Sequence, residues 1–141
     1  ALLLTTSNRS EGDVGYATMD GDTSGSISPI AAVDKYFLLN WLRWAEKSLS
    51  RPGLAKVNSL QPSAELRPLE RTQTDEKDLM PYAVILEIEK LAIRDRRSPM
   101  DVYLILSEEL TLEPVTLKGY IKKFFQLWSR NQWKRETYQL C

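Results

Sequence analysis

Three residues of this chain stand where their types can do chemistry: Thr6, Glu11 and Lys35. Glu11 follows an apolar run, Leu2-Leu3-Leu4, and a polar turn, Ser7-Asn8-Arg9-Ser10. A carboxylate there can hold magnesium beside a nucleotide phosphate, because hard cations take oxygen ligands. The plainer alternative is a capping box with Asn8, which the spacing of three residues also fits and pattern alone favours. Thr6 can bond an adenine or a ribose, or it is an ordinary strand threonine. Lys35 can neutralise a polyphosphate as a point charge, or it is simply solvated. A lysine in a first helical turn opposes the helix dipole, which counts slightly against the second reading. The loop from Asp20 to Pro29 (DGDTSGSISP) suits a phosphate only by composition. It is neither G-x-x-x-x-G-K-[ST] nor G-x-G-x-x-G, so a surface turn is the simpler reading. Its Gly21 and Gly25 permit a positive φ or close backbone approach. The chain has no histidine, which excludes Ser-His and Cys-His nucleophilic pairs and every histidine metal site. Any catalysis must use carboxylates, hydroxyls, Lys, Arg, backbone dipoles and a hard cation.

The elements that must position these residues read as follows. Leu2-Leu3-Leu4 followed by Thr5-Thr6 is a short apolar run of the kind buried on both faces of a parallel sheet, and periodicity alone also fits a buried helix segment. A strand, a polar turn and a helix start together form a ligand site at the carboxyl end of a parallel strand. Asp34 caps a helix over about Lys35 to Leu49, with Phe37, Leu38, Trp41 and Ala45 on one face. Ala55 to Leu60 is a candidate short strand, and Gln61 to Met80 a long loop of the sort that serves as a lid. Pro81 opens a helix to about Ala92, Ser98-Pro99 opens another, and a last helix runs from about Val115 to Lys134 with Leu117, Ile121, Phe124, Phe125 and Trp128 as its apolar stripe. Trp41, Trp44, Trp128 and Trp133 read as core rather than as base-stacking platforms. Arg94, Arg96 and Arg97 read as a solvated face, and the acid-free basic span from Lys118 to Arg135 can meet phosphate but only weakly suggests nucleic acid.

Composition bounds the rest. The 141 residues suffice for one domain, and 43% hydrophobic with 27% charged residues is globular. Lys plus Arg and Asp plus Glu each number 19, so charge gives no argument for nucleic acid or membrane as partner. No apolar run approaches the roughly 20 residues of a bilayer span. Cys141 is the only cysteine, so no disulfide forms within the chain. With no signal-peptide pattern at Ala1, the expected location is cytoplasmic. An opening in a strand-like run without Met leads to the expectation of a piece of a longer polypeptide, marginally stable alone because apolar surface is left open.

Four stretches carry more than composition: Leu3 to Glu11 (LLTTSNRSE), Val14 to Ile30 (VGYATMDGDTSGSISPI), Ala64 to Pro81 (AELRPLERTQTDEKDLMP) and Phe124 to Glu136 (FFQLWSRNQWKRE). In order and spacing they resemble the glutamine-dependent NAD synthetases. The resemblance implies an α/β fold, part of a doubly wound parallel sheet of the adenine-nucleotide α-hydrolase type with a helical C-terminal part. Residues 1–141 would be the C-terminal portion of the synthetase domain, with the phosphate loop and the glutaminase domain upstream. The implied reaction is ATP-dependent amidation of deamido-NAD to NAD. The nicotinate carboxylate is adenylated, pyrophosphate leaves, and ammonia from glutamine displaces AMP.

Residue by residue, the resemblance implies that Thr6, Lys35 and Ser63 bind ATP. Glu11 would hold Mg2+ and lie near the deamido-NAD, with Tyr16, Ala17, Thr18, Met19, Asp22 and Lys134. Asp75 and Glu76 lie in matching motifs with a looser assignment. It also implies a homo-oligomer in the full-length enzyme, with no nucleic-acid or membrane partner. Two departures stand out: Ser26 and Ala32 replace the family's usual glycines, and would be strained if those positions need a positive φ. After Arg135 the sequence leaves the family pattern altogether, as a frameshift would make it do. The rival readings are a non-enzymatic nucleotide-binding or interaction module, and another ATP-dependent amidotransferase of the same fold.

Overall fold

A computed structural model describes residues 1–63 and 74–136. Asn8 opens α1 (Arg9–Val14) with a complete capping box: its side chain accepts from Glu11 N, and the Glu11 side chain accepts from Asn8 N. Gly15 ends α1 in the left-handed region at φ 63°. Asp34 opens α2 (Lys35–Ser48), its carboxylate accepting from Phe37 N. The start expected at Lys35 is therefore met, by the local bond that an N-cap aspartate supplies.

Beyond α2 lie α3 (Leu54–Ser59), α4 (Asp75–Asp78), α5 (Tyr82–Glu89), α6 (Pro99–Glu109), α7 (Pro114–Arg130) and α8 (Gln132–Arg135). Ser98 opens α6 with a second capping box, closed by Asp101. The helix begun after Pro81 is α-helical to Glu89 and then widens into a π turn, Lys90–Arg94, where Asp95 N reaches back to Lys90 O at 3.0 Å. The expected last helix is broken at Asn131 into α7 and α8.

The core lies where α1, α5, α6 and α7 meet. Val14, Met80, Ile85, Ile88, Val102, Leu106, Leu117 and Phe124 are buried there. Phe124 stacks on Trp128 with ring centroids 6.4 Å apart.

Several expectations are corrected. Residues 55–59 belong to helix α3, not to a strand, and Leu60 caps that helix. A six-residue segment is too short for its period to decide between helix and strand, and α3 packs against α2. Among the described residues the only β pairing is an isolated parallel bridge, Leu4 to Ile27. Its bonds are Thr5 N to Ile27 O at 2.9 Å and Ser26 N to Leu3 O at 2.8 Å. Leu2, Leu3 and Leu4 are more than half exposed rather than buried on both faces, because no second layer covers them among the described residues. Trp41, Trp44 and Trp133 are also exposed, and of α2 only Ala45 is buried. Arg94, Arg96 and Arg97 are exposed, as a solvated face requires.

Candidate nucleotide site

The capping box does two things at once with Glu11. Oε2 accepts from Asn8 N at 3.2 Å, while Oε1 accepts from Lys35 Nζ at 3.1 Å. The structural and the functional readings of Glu11 are thus compatible: one oxygen caps α1, and the other faces a cation. Both side chains of the ion pair are 21% exposed, so solvent and ligands reach it.

Residues flanking the pair fix its geometry. Lys35 N donates to Ser10 Oγ at 3.3 Å, joining the first turns of α1 and α2. Arg9 donates to Asp34 Oδ2 at 3.2 Å and to Ala32 O at 3.3 Å. On its other side Arg9 Nε lies 3.7 Å from Glu89 Oε2 of α5. Arg9 and Asp34 thus lock two helix starts together. Sequence reading found Asp34 as a cap but missed its pairing with Arg9, since the partners are 25 residues apart.

A buried acid, Glu89, with the half-buried Asp13 near it, was also missed. Glu89 is 4% exposed and neither carboxylate oxygen has a hydrogen bond among the described residues. Burial, and then the negative charge of Asp13, push the Glu89 carboxyl up to about 8, against the pull of the nearby Ser10 hydroxyl and of Arg9. Burial likewise raises Asp13 to about 6, opposed by Arg9 and Arg135. One signal was available: Glu89 follows Ile85 by four, which places it on the buried face of α5.

The loop after α1 is held from two sides. Thr5 Oγ1 donates to Asp22 O at 2.6 Å, and Thr18 N donates to Asp22 Oδ2 at 2.7 Å. Asp22 therefore organises its own loop. Gly25 lies so close to the Leu4-Thr5 backbone that a Cβ there would come within 2.8 Å of Thr5 N. Close approach is the reason for this glycine. Neither Ser26 nor Ala32 has a positive φ, so the strain posed for these substitutions does not arise.

From the other side, Lys134 Nζ donates to Gly15 O at 3.3 Å and Ala17 O at 3.0 Å. Tyr16 Oη donates to Asp78 Oδ2 at 3.2 Å. Tyr16, Ala17 and Lys134 are thereby brought together, as are Glu11 with Lys35 and Thr18 with Asp22. Thr6, Met19 and Ser63 are exposed, and no polar contact among the described residues joins Ser63 to the others. Glu76 accepts from Tyr82 N at 3.0 Å, at the start of α5. Ala64 to Gln73, the Asp75 side chain and Thr137 to Cys141 lie outside the described residues.

No group of three metal-ligating side chains converges among the described residues. Glu11 offers a single carboxylate oxygen beside a cationic residue. That arrangement fits magnesium, which binds through one or two carboxylates with substrate phosphates and water completing its shell.

Residues 1–137 match the NAD synthase family. The chain is 40% identical over 101 residues to the glutamine-dependent NAD(+) synthetase of Aquifex aeolicus (strain VF5), covering 72% of this chain and 17% of that protein. It is 32% identical over 138 residues to the protein of the same description from Arabidopsis thaliana, covering 94% and 19%. The crystal structure of a glutamine-dependent NAD(+) synthetase from Cytophaga hutchinsonii superposes with a TM-score of 0.81 at 52% identity, over 99% of this chain and 21% of that one. The chain thus spans about a fifth of the length of these relatives.

Proposed function

Because this chain belongs to the NAD synthase family, we propose that it forms part of an ATP-dependent ligase that amidates deamido-NAD to NAD with ammonia taken from glutamine. The observation that carries this reading is the Glu11–Lys35 pair, held at 3.1 Å at the mouth of two capped helices. In the reaction the nicotinate carboxylate attacks the α-phosphorus of ATP and the bond to pyrophosphate breaks. Ammonia then attacks the acyl carbon, AMP leaves and a proton is lost.

The residues of this chain bind and orient. Lys35 turns from Glu11 to the ATP phosphates, as a flexible ammonium can. Glu11 would be the residue to hold Mg2+, and the metal, when bound, would supply neutralisation of the phosphate charge. Thr6 lies toward the adenosine, and Ser63 reaches ATP from the loop after α3. Tyr16, Ala17, Thr18 and Met19 line the deamido-NAD, with Asp22 fixing their loop and Lys134 holding the segment from α8. Holding both nucleotides in one geometry replaces a bimolecular encounter by a positioned one.

The rest of the reading follows from the same family membership. The Leu3–Thr5 and Ser26–Ile27 segments are adjoining strands of a larger doubly wound parallel sheet, and their exposed leucines are covered by neighbouring strands and helices of a longer polypeptide. The chain is the C-terminal portion of the synthetase domain; the phosphate loop and the glutaminase lie elsewhere in that polypeptide. The complete enzyme is a homo-oligomer working in the cytoplasm on soluble nucleotides. Among the described residues, no helix is long and apolar enough to cross a membrane.

The test is NAD formation from deamido-NAD, ATP, Mg2+ and ammonia, by this chain alone and with the upstream synthetase half supplied in trans. Activity appearing only in the mixture is expected. Two soluble, associated pieces without activity would favour a non-enzymatic nucleotide-binding module. Product from a different acceptor nucleotide would favour another amidotransferase of the same fold.

A further inference from the structure

The last carbonyls of a helix have no partner within it. At the end of α1 the turn at Gly15 satisfies two of them: Gly15 N donates to Gly12 O at 3.1 Å and Tyr16 N to Glu11 O at 2.9 Å. This is the bonding of a Schellman turn, and it reaches no further along the chain. The carbonyls of Asp13, Val14, Gly15 and Ala17 follow, and each takes a side-chain donor from the break at Asn131 or from α8.

Asn131 Nδ2 donates to Val14 O at 2.7 Å, and Arg135 Nη1 to Asp13 O at 3.2 Å. Lys134 Nζ takes the carbonyls of Gly15 and Ala17. Two of the three donors are cations, which suits the negative end of a helix dipole, and α1 has no basic residue of its own in its last turn. Arg135 is itself held from behind. Its guanidinium lies over the Trp128 ring, 3.8 Å from the centroid, and Trp128 stacks on the buried Phe124. A further bond joins Arg135 to Gln132 within α8. The core thus reaches the end of α1 through Phe124, Trp128 and Arg135.

We propose that Asn131 and Arg135 are positioning residues for the acceptor nucleotide, acting through the backbone at the end of α1. The inference rests on the acceptor role proposed above for Tyr16 to Met19. Val14 and Gly15 are buried, Tyr16 and Ala17 are half-buried, and Thr18 and Met19 are exposed. The clamp therefore ends where the segment turns outward, and it sets the point from which the acceptor-lining residues project. The Glu11–Lys35 pair belongs to the first turns of α1 and α2, whereas Asn131 and Arg135 act on the last turn of α1. Loosening the clamp shifts the acceptor segment and leaves the phosphate side in place. A displacement of about 1 Å is enough to matter for a positioned reaction.

The test uses this chain with the upstream synthetase half in trans and reads KM for deamido-NAD and for ATP separately. Asn131→Asp keeps the size of the side chain and removes its donor, and Arg135→Gln removes the cation. Each is expected to raise KM for deamido-NAD about tenfold, with KM for ATP changed less than about twofold. Arg135→Lys keeps a cation and is expected to fall between Arg135→Gln and the parent. Both KM values rising together would overturn the inference. So would a lower rate with both KM values unchanged, the mark of fewer folded molecules, or Arg135→Lys no better than Arg135→Gln.

Amide exchange tests the clamp without turnover. In the isotope-labelled chain within the same mixture, protection at Tyr16 N, bonded to Glu11 O, is expected to fall about tenfold in Asn131→Asp and Arg135→Gln. Protection at Phe37 N, bonded to Asp34 in the cap of α2, is expected to hold. Equal loss at both amides, or none at Tyr16, would overturn the inference. A parent mixture that makes no NAD counts against the reaction proposed above. A working parent whose variants show no selective change for deamido-NAD counts against the present inference alone.

Discussion

Asn131 donates its side-chain amide to Val14 O at 2.7 Å, joining the break between α7 and α8 to the end of α1 across 117 residues. The same side chain occupies the space beside Gly15: a Cβ on that glycine would lie 2.5 Å from the Cβ of Asn131. Gly15 is thus fixed twice, by its left-handed φ and by the close approach of Asn131.

Gly15→Ala must accept the left-handed backbone and displace Asn131. The expected loss is about 2–4 kcal/mol, from the left-handed penalty and the overpacking together. Asn131→Ala leaves the Val14 carbonyl without its partner and is expected to cost about 1–2 kcal/mol. Asn131→Ala keeps the Cβ that the new methyl would meet, so it does not relieve the clash; Asn131→Gly does, and the losses from Gly15→Ala and Asn131→Gly should fall short of their sum in the double variant. Denaturant titration of the four proteins of this cycle checks this, and strict additivity would contradict the contact.

Glu89 makes stability fall as pH rises. Its carboxyl is raised from the usual 4.5 to about 8, so between these values the folded chain holds a proton that the unfolded chain has released. Stability therefore declines across that window and levels off above about 8. Asp13, raised from 3.8 to about 6, adds a decline of the same sign at the acid end. The loss is on the order of a few kcal/mol. Glu89→Gln should flatten the profile and be the more stable protein at pH 8. Thermal melts at a series of pH values test it; a midpoint that climbs through this window would contradict the buried acid.

Glu11 has separable duties. Glu11→Gln keeps an oxygen for Asn8 N but loses the charge that pairs with Lys35. It should leave the melting temperature nearly unchanged while lowering NAD formation in the reconstituted enzyme by about 10²–10³, the size of an electrostatic contact to a transferring group. Glu11→Ala should lose the same activity and about 1 kcal/mol of stability as well, through the cap. Full activity in Glu11→Ala would remove Glu11 from the metal and phosphate site.

The glycines of the loop are not equivalent. Gly25→Ala brings a Cβ against the Thr5 backbone and is expected to part the Leu3–Thr5 and Ser26–Ile27 segments, at a cost of about 1–3 kcal/mol. Ser26→Gly and Ala32→Gly relieve no strain, since neither residue has a positive φ. They should change stability by no more than about 1 kcal/mol, in the destabilising direction. A clear gain from either glycine would show that the departures from the family pattern are harmful.

Much of the architecture was legible in the sequence because it is set by neighbours in the chain. Asn8 with Glu11, Asp34, and Ser98 with Pro99 each announce a helix, since a cap is a bond within one turn. The stripe Leu117, Ile121, Phe124 gives the buried side of α7 from its spacing alone. Four motifs in order also identified the family that the comparisons bear out. Where the local signal was short or two-sided, the reading failed: six residues at Leu54–Ser59 were too few to separate helix from strand, and Asn131 gave no sign of a break.

What the tertiary structure alone decided is which residues meet. Glu11 and Lys35 each have an ordinary local explanation, and only the packing of α1 against α2 makes them a pair. Lys134 reaches Ala17, and Asn131 reaches Val14, over 117 residues each. Glu89, on the same face of α5 as Ile85, becomes a buried carboxyl because α1 closes over α5. Caps and periodicity are short-range and written into adjacent residues. Burial and ion pairing depend on which surfaces the folded chain brings together, and no local spacing encodes that.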